Sequence, residues 1–235
     1  MKKSAVVLAV FLLVLSGTAK GQEVDNSKVF IKPFLVHSGL SPRLGQYDFR
    51  ATALLSRGEA GEKIDFGVHY ETGIVADGIS MCFRTDGIQN EKFLDYTWQY
   101  NVANDTALNN GFAVYAGFAV PTGSDVSRSD YRGLLGLSYR MTFGQVAAWN
   151  AGIEKDTAIN SIEYESSFLF KVSERCFPSL EIRGVIKGSD VTAYVFPGLK
   201  VKVNDNSSVG MGVQGAVSLM RDFDIEALFT FDTSF

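Results

Sequence analysis

The chain has 235 residues, 46% hydrophobic and 20% charged, and its 26 acidic and 22 basic side chains give a net charge of −4 with both histidines neutral. Such a surface makes nucleic acid a poor partner, and with two cysteines and two histidines the sequence shows no spacing of a metal centre. The length suits one large domain or two small ones, but five prolines and no low-complexity run leave nothing that reads as a linker.

Lys2 and Lys3 precede an apolar run from Ala5 to Leu15 and then a small, polar stretch from Ser16 to Gly21. That layout predicts a secretory signal peptide over 1-21, with Ala19 and Gly21 flanking a cleavage before Gln22. The run falls short of the roughly 20 apolar residues that span a bilayer as a helix, and no cysteine near Gly21 offers a lipid anchor. Three basic residues leave with the peptide, so 19 basic against 26 acidic side chains remain, a net charge of −7. Residues 29–36 alternate weakly, but Lys32 and Pro33 interrupt them, and proline is confined to sheet edges and bulges. We therefore assign 22-46 to an N-terminal segment that is periplasmic or enters a lumen, and 47-235 to a transmembrane β-barrel.

From residue 47 onward the pattern has period two in short runs separated by turn residues, and no helical period of any length appears. Strands are expected near 47-56, 62-71, 78-85, 92-102, 111-121, 131-143, 145-154, 161-172, 178-187, 191-203, 207-218 and 223-235. In chain order the polar faces carry Asp48 and Arg50, then Asp65, His69 and Glu71, then Arg84 and Asp95. Arg132 and Arg140 follow, opposite Tyr131, Leu135, Leu137, Tyr139, Met141 and Phe143. Glu163, Glu165 and Lys171 oppose Ile162, Tyr164, Phe168 and Phe170, and the last strands contribute Glu181, Arg183, Lys200, Glu226 and Asp232. Cys82 falls in mid-strand and Cys176 in a turn, which reads as two free thiols.

A soluble sandwich also alternates, but it must bury its apolar face under a second sheet and usually has shorter strands. Strands near ten residues suit a tilted crossing of a membrane core. In lipid every backbone amide needs a partner, so a spanning sheet must close on itself. The fold class expected is all-β: a transmembrane antiparallel up-and-down β-barrel of 12 strands in the outer membrane. The connections TDGIQNE (85-91), PTGSDVSRSD (121-130), SRGEAGE (56-62) and KDTAINS (155-161) are on the whole longer and more charged than MTFGQ (141-145), SERCFPS (173-179) and VNDNSS (203-208), which points the first set outward. In the final strand Phe229, Phe231 and Phe235 share the lipid side, with Phe235 at the inner interface.

The stretch LDYTWQYNVANDTALNNGFAVYAGFAVPTGSD (94-125) resembles the strand, turn, strand and Pro-Thr-Gly exit of the outer-membrane transporter family of the meta-pathway of phenol degradation. VFPGLKVKVNDNSSVGMGVQGAVSLMRDFDIEALFTF (195-231) is similar to that family's closing strands. The resemblance implies a twelve-stranded barrel and uptake of small solutes, apolar and aromatic compounds included. Phe235 with Phe231 and Phe229 resembles the outer-membrane signature read by the barrel-assembly machinery. The partners implied are the lipid bilayer, that machinery and a small-molecule solute.

The charged interior supports two readings: a narrow water-filled path that selects by charge and size, or an interlocked scaffold with structural or surface-interaction roles. A lipid hydrolase, with His69 or His37 beside a serine, is a third and weaker reading. It fits poorly, because His69 lies on the lumen side with Glu71. Asp222, Asp224 and Glu226 read as a solvated acidic rim. No catalytic, cofactor or metal residues are assigned.

Overall fold

The computed structural model describes residues 32–58, 61–76, 78–85, 93–105, 110–121, 131–219 and 224–235. The expected signal peptide, residues 22–31 and most of the two loops 85-91 and 121-130 lie outside the described residues, as does Asp222. Among the described residues twelve strands close into one barrel: β1 Tyr47–Gly58, β2 Gly61–Gly73, β3 Ile79–Arg84, β4 Phe93–Asp105, β5 Asn110–Pro121, β6 Arg132–Phe143, β7 Ala147–Asp156, β8 Ser161–Phe170, β9 Cys176–Lys187, β10 Asp190–Lys202, β11 Ser207–Ala216 and β12 Ile225–Ser234. Every strand pairs antiparallel with its sequence neighbours, and β12 returns to β1 with Arg50 opposite Asp232 and Leu54 opposite Leu228. Past the strand end the seam is held by Phe235 N–H to Tyr47 O at 2.8 Å and Tyr47 N–H to Phe235 O at 3.0 Å. The closed all-β barrel is thus the fold that the alternation implies.

Strand ends differ from the sequence reading where pairing extends them. β2 runs two residues past the expected end at 71, to Gly73, which is bridged by Leu44 ahead of β1. β4 runs on to Asp105, with a register shift between Asn101 and Ala103. β7 ends two residues later than expected, at Asp156. Loop length does not separate the two ends cleanly either. Gly58 pairs with Gly61, so the connection 56-62, expected to be long, leaves two residues between paired positions, and the turn after Lys187, which pairs with Asp190, is a two-residue hairpin tip. Gly188, at φ 63°, supplies the left-handed position such a tip requires.

The wall sorts side chains by parity. Outward positions leave Ile64, Phe66, Leu135, Ile153 and Phe229 exposed, and aromatic rings pack against one another on this surface, among them Tyr96 with Trp98 at 4.4 Å and Trp149 with Phe168 at 6.1 Å. So much contiguous apolar exterior is unstable in water and suits lipid. Inward positions are mostly polar, interrupted by an apolar cluster of Phe34, Leu35, Leu54, Phe196 and Leu228 and a smaller one of Ala148 and Phe177. Cys82 and Cys176 are free thiols.

Candidate functional site

The site is the barrel interior, and it holds a piece of chain that belongs to no strand. Phe34, Leu35, Val36 and His37 are all buried. Phe34 is 0% exposed, with its ring edge-on to Phe196 at 4.8 Å. Inward glycines make this room: a Cβ on Gly210 would lie 2.6 Å from Phe34 Cε1, and one on Gly198 2.7 Å from Phe34 Cε2.

The segment is gripped by its backbone. Phe34 N–H donates to Glu181 Oε1 at 2.6 Å, Leu35 N–H to Glu181 Oε2 at 3.2 Å, and His37 N–H to Glu165 Oε1 at 2.5 Å. Cations take the carbonyls: Arg50 donates to the oxygens of Pro33 and Phe34, and Lys200 Nζ reaches Pro33 O at 3.1 Å. Further along, Gln99 Nε2 donates to Ser38 O at 3.3 Å and Ser41 N–H to Asn101 Oδ1 at 3.1 Å. A chain inside a barrel must satisfy its amides and carbonyls there, and acids for N–H with bases for C=O do so with charge-assisted bonds. Lys32 anchors the near end between Asp48 at 2.7 Å and Glu71 at 2.9 Å. Burial works to lower its pKa, but the two carboxylates outweigh burial and hold it above the usual lysine value.

The expected lumen residues fall into several groups. Arg50 Nε meets Asp232 at 2.7 Å, and Lys200 shares that carboxylate at 2.8 Å. Arg84 meets Asp95 at 3.1 Å and reaches from β3 to Glu154 on β7 at 3.5 Å, a pair that crosses the interior. Arg132 meets Asp156 at 3.5 Å, with its guanidinium 3.9 Å above the Phe93 ring. Arg183 donates to Gln214 Oε1 at 2.8 Å, and Gln214 Nε2 donates on to Glu226 at 3.1 Å. Glu163 stands opposite Glu154 in the register, while Glu165 holds the segment. Arg140 is buried, and it donates from Nη1 to Asn150 Oδ1 at 3.0 Å.

Two residues sit at the margins. Asp65 pairs with Lys63 at 2.5 Å toward the β1–β2 tip, and Lys171 lies just past the end of β8, paired with Glu174 at 2.8 Å. His69 points inward, its Nε2 3.6 Å from Cys82 Sγ and 4.0 Å from Glu71 Oε2, so one nitrogen faces both neighbours and the geometry is not that of a base between a nucleophile and an orienting acid. Of the terminal aromatics Phe229 is exposed on the outer face, whereas Phe231 is 8% exposed. Gln99, Asn101, Asn150 and Gln214 also face the lumen although they carry no charge to mark them in the sequence; their inward parity is the available signal. Among the described residues no group of three or more His, Cys, Asp and Glu side chains is arranged to hold a metal ion.

No protein-family model and no curated sequence matches this chain. Solved structures do. An outer-membrane channel from Pseudomonas putida F1 superposes with a TM-score of 0.57 at 9% identity, covering 88% of this chain and 100% of that one. The KdgM porin gives 0.55 at 12% identity over 81% of this chain and 99% of its own, and the NanC porin 0.50 at 11% over 80% and 98%. At these identities the likeness is one of fold. A sheet closed on itself with an apolar exterior and a charged interior is the architecture of bacterial outer-membrane barrels, and the chain is an outer-membrane β-barrel.

Proposed function

We propose that the protein is a passive outer-membrane channel for small solutes. The observation that carries this is the filling of the interior. The wall does not interlock into an apolar plug; it presents paired charges and amides, and the space between them is taken by a separate segment held mostly through hydrogen bonds to its backbone. Such a segment is exchangeable for water and solute in a way that packed wall side chains are not. The porin-like fold supports the same reading. Small apolar and aromatic compounds are the solutes we assign, on the resemblance of 94-125 and 195-231 to the transporter family of the meta-pathway of phenol degradation. Assembly proceeds through the C-terminal strand and its terminal Phe235, presented to the barrel-assembly machinery. No reaction is assigned to the protein.

The test is current through single proteins in planar bilayers, comparing the mature chain with a variant lacking residues 22–43. The mature chain should give small, flickering steps and the shortened chain larger and steadier ones. Silence from both, with barrels shown to be folded, would favour the scaffold reading, which the crossing of the interior by the segment and by Arg84–Glu154 keeps in view.

A further inference from the structure

Arg50, Lys200, Arg84 and Arg132 each face a carboxylate. Arg140 differs. It is 1% exposed toward the C-terminal end of β6, and among the described residues its Nε and Nη2 have no hydrogen-bond partner. Its Nη1 is spent on Asn150 Oδ1 at 3.0 Å. Asn150, itself 0% exposed, leaves its own Nδ2 without a partner. Three buried donor groups on paired positions of β6 and β7 therefore have no acceptor among the described residues.

A guanidinium cannot escape by losing its proton, and a buried cation without a counter-charge is strongly unfavourable. The geometry says what is missing. Nε and Nη2 form one edge of the guanidinium plane, the edge that takes both oxygens of a carboxylate in a side-on, bidentate pair. Asn150, paired with Arg140 across β6 and β7, contributes its Nδ2 as a third donor. Arg140 is paired with Gly111 across the sheet, and Gly39 of the segment fills the space over the backbone of both, where a Cβ on it would lie 2.8 Å from Arg140 N, so a small group has only the guanidinium end to approach. Next along the face of Asn150, Ala148 packs against Phe177, an apolar neighbour for the rest of the molecule.

We propose that Arg140 and Asn150 form a carboxylate-binding site on the lumen wall, and that the solutes it takes are small organic acids, aliphatic or aromatic. This deepens the channel reading by narrowing its aromatic solutes to those that carry a carboxylate and adding small aliphatic acids in place of uncharged apolar compounds, and it rests on that reading for its transport consequence alone. An ordered water is the plain alternative, but a neutral water accepts at most two of these hydrogen bonds and leaves the charge uncompensated.

The experiment titrates sodium acetate into the detergent-folded mature barrel by calorimetry, against sodium chloride at equal ionic strength. The wild type should bind acetate saturably at one site, and Arg140→Gln should bind at least tenfold more weakly. Asn150→Asp supplies an internal carboxylate where Oδ1 already touches Nη1; it should raise the melting temperature and abolish acetate binding, and it decides the matter if Arg140→Gln does not fold. No saturable acetate binding to the wild type, unchanged binding in either variant, or a lower melting temperature for Asn150→Asp would overturn the site. Conductance of the same preparations is read separately: a wild type that binds acetate yet passes no current refutes the channel and keeps the site, whereas one that conducts without binding acetate refutes the site and keeps the channel.

Discussion

Replacing Phe34 with alanine should open the barrel without weakening its wall. The ring belongs to no strand, yet it is 0% exposed, edge-on to Phe196 at 4.8 Å and clustered with Leu35, Leu54 and Leu228. Truncating a buried phenylalanine costs about 3–5 kcal/mol where the surroundings relax little. The lower end, about 3 kcal/mol, is the better figure here, because Phe196 lies between inward glycines and can follow the receding ring. The loss falls on the docked segment, since an undocked one exposes residue 34 in either protein. At about 1.4 kcal/mol per decade, the ratio of undocked to docked barrels rises by roughly two orders of magnitude. Single-channel recording measures it as the fraction of time in the larger conductance state, and the melting midpoint of the folded band in gel-shift assays reports on the wall. An unchanged open fraction together with a lowered midpoint would refute the reasoning, for Phe34 would then be barrel core and the segment a fixed part of the fold.

Three further predictions follow from the same contacts. Burial, with Arg84, His69, Arg50 and Lys32 nearby, holds the pKa of His37 well below 6.5, so protonation favours the undocked segment. Docking is then fully stable above the ordinary histidine pKa and loses up to about 1.4 kcal/mol per pH unit below it. The open fraction should rise as pH falls from about 7 to about 5 and stay flat in His37→Phe, and a flat wild-type response would contradict the assignment. Arg84→Ala removes the cation that Asp95 and Glu154 share, with Glu163 opposite Glu154; barrel stability in urea should fall by about 3 kcal/mol and reversal potentials should shift toward cations. Deleting Phe235 removes both backbone bonds to Tyr47 and should lower the yield of folded barrels while leaving the unit conductance of those that fold unchanged.

The wall was legible because its code is local. Alternation in 131-143 or 225–235 states which side chains turn inward whatever the neighbouring strand does. Strand ends were less legible, since they depend on partners: β2 reaches Gly73 because the approach to β1 lies beside it, and β4 passes Asn101 by absorbing an irregularity. The pairing of charges was not legible at all. Nothing near Arg84 in the sequence announces Glu154, which it meets only once closure brings β3 opposite β7. The same holds for the glycines at 198 and 210, which read as gaps in an alternation until Phe34 fills them.

This division has a consequence for function. Parity fixes the composition of the interior, so that a polar lumen could be read from the chain, but which charges are compensated is a property of the closed barrel. Arg50 and Arg140 both follow an aromatic residue on an alternating strand, and in the barrel Arg50 faces Asp232 while Arg140 has an edge with no hydrogen-bond partner among the described residues. Selectivity in a narrow path is set by charges that the wall itself has not neutralised, so the residues that choose the solute are the ones whose role alternation could not show.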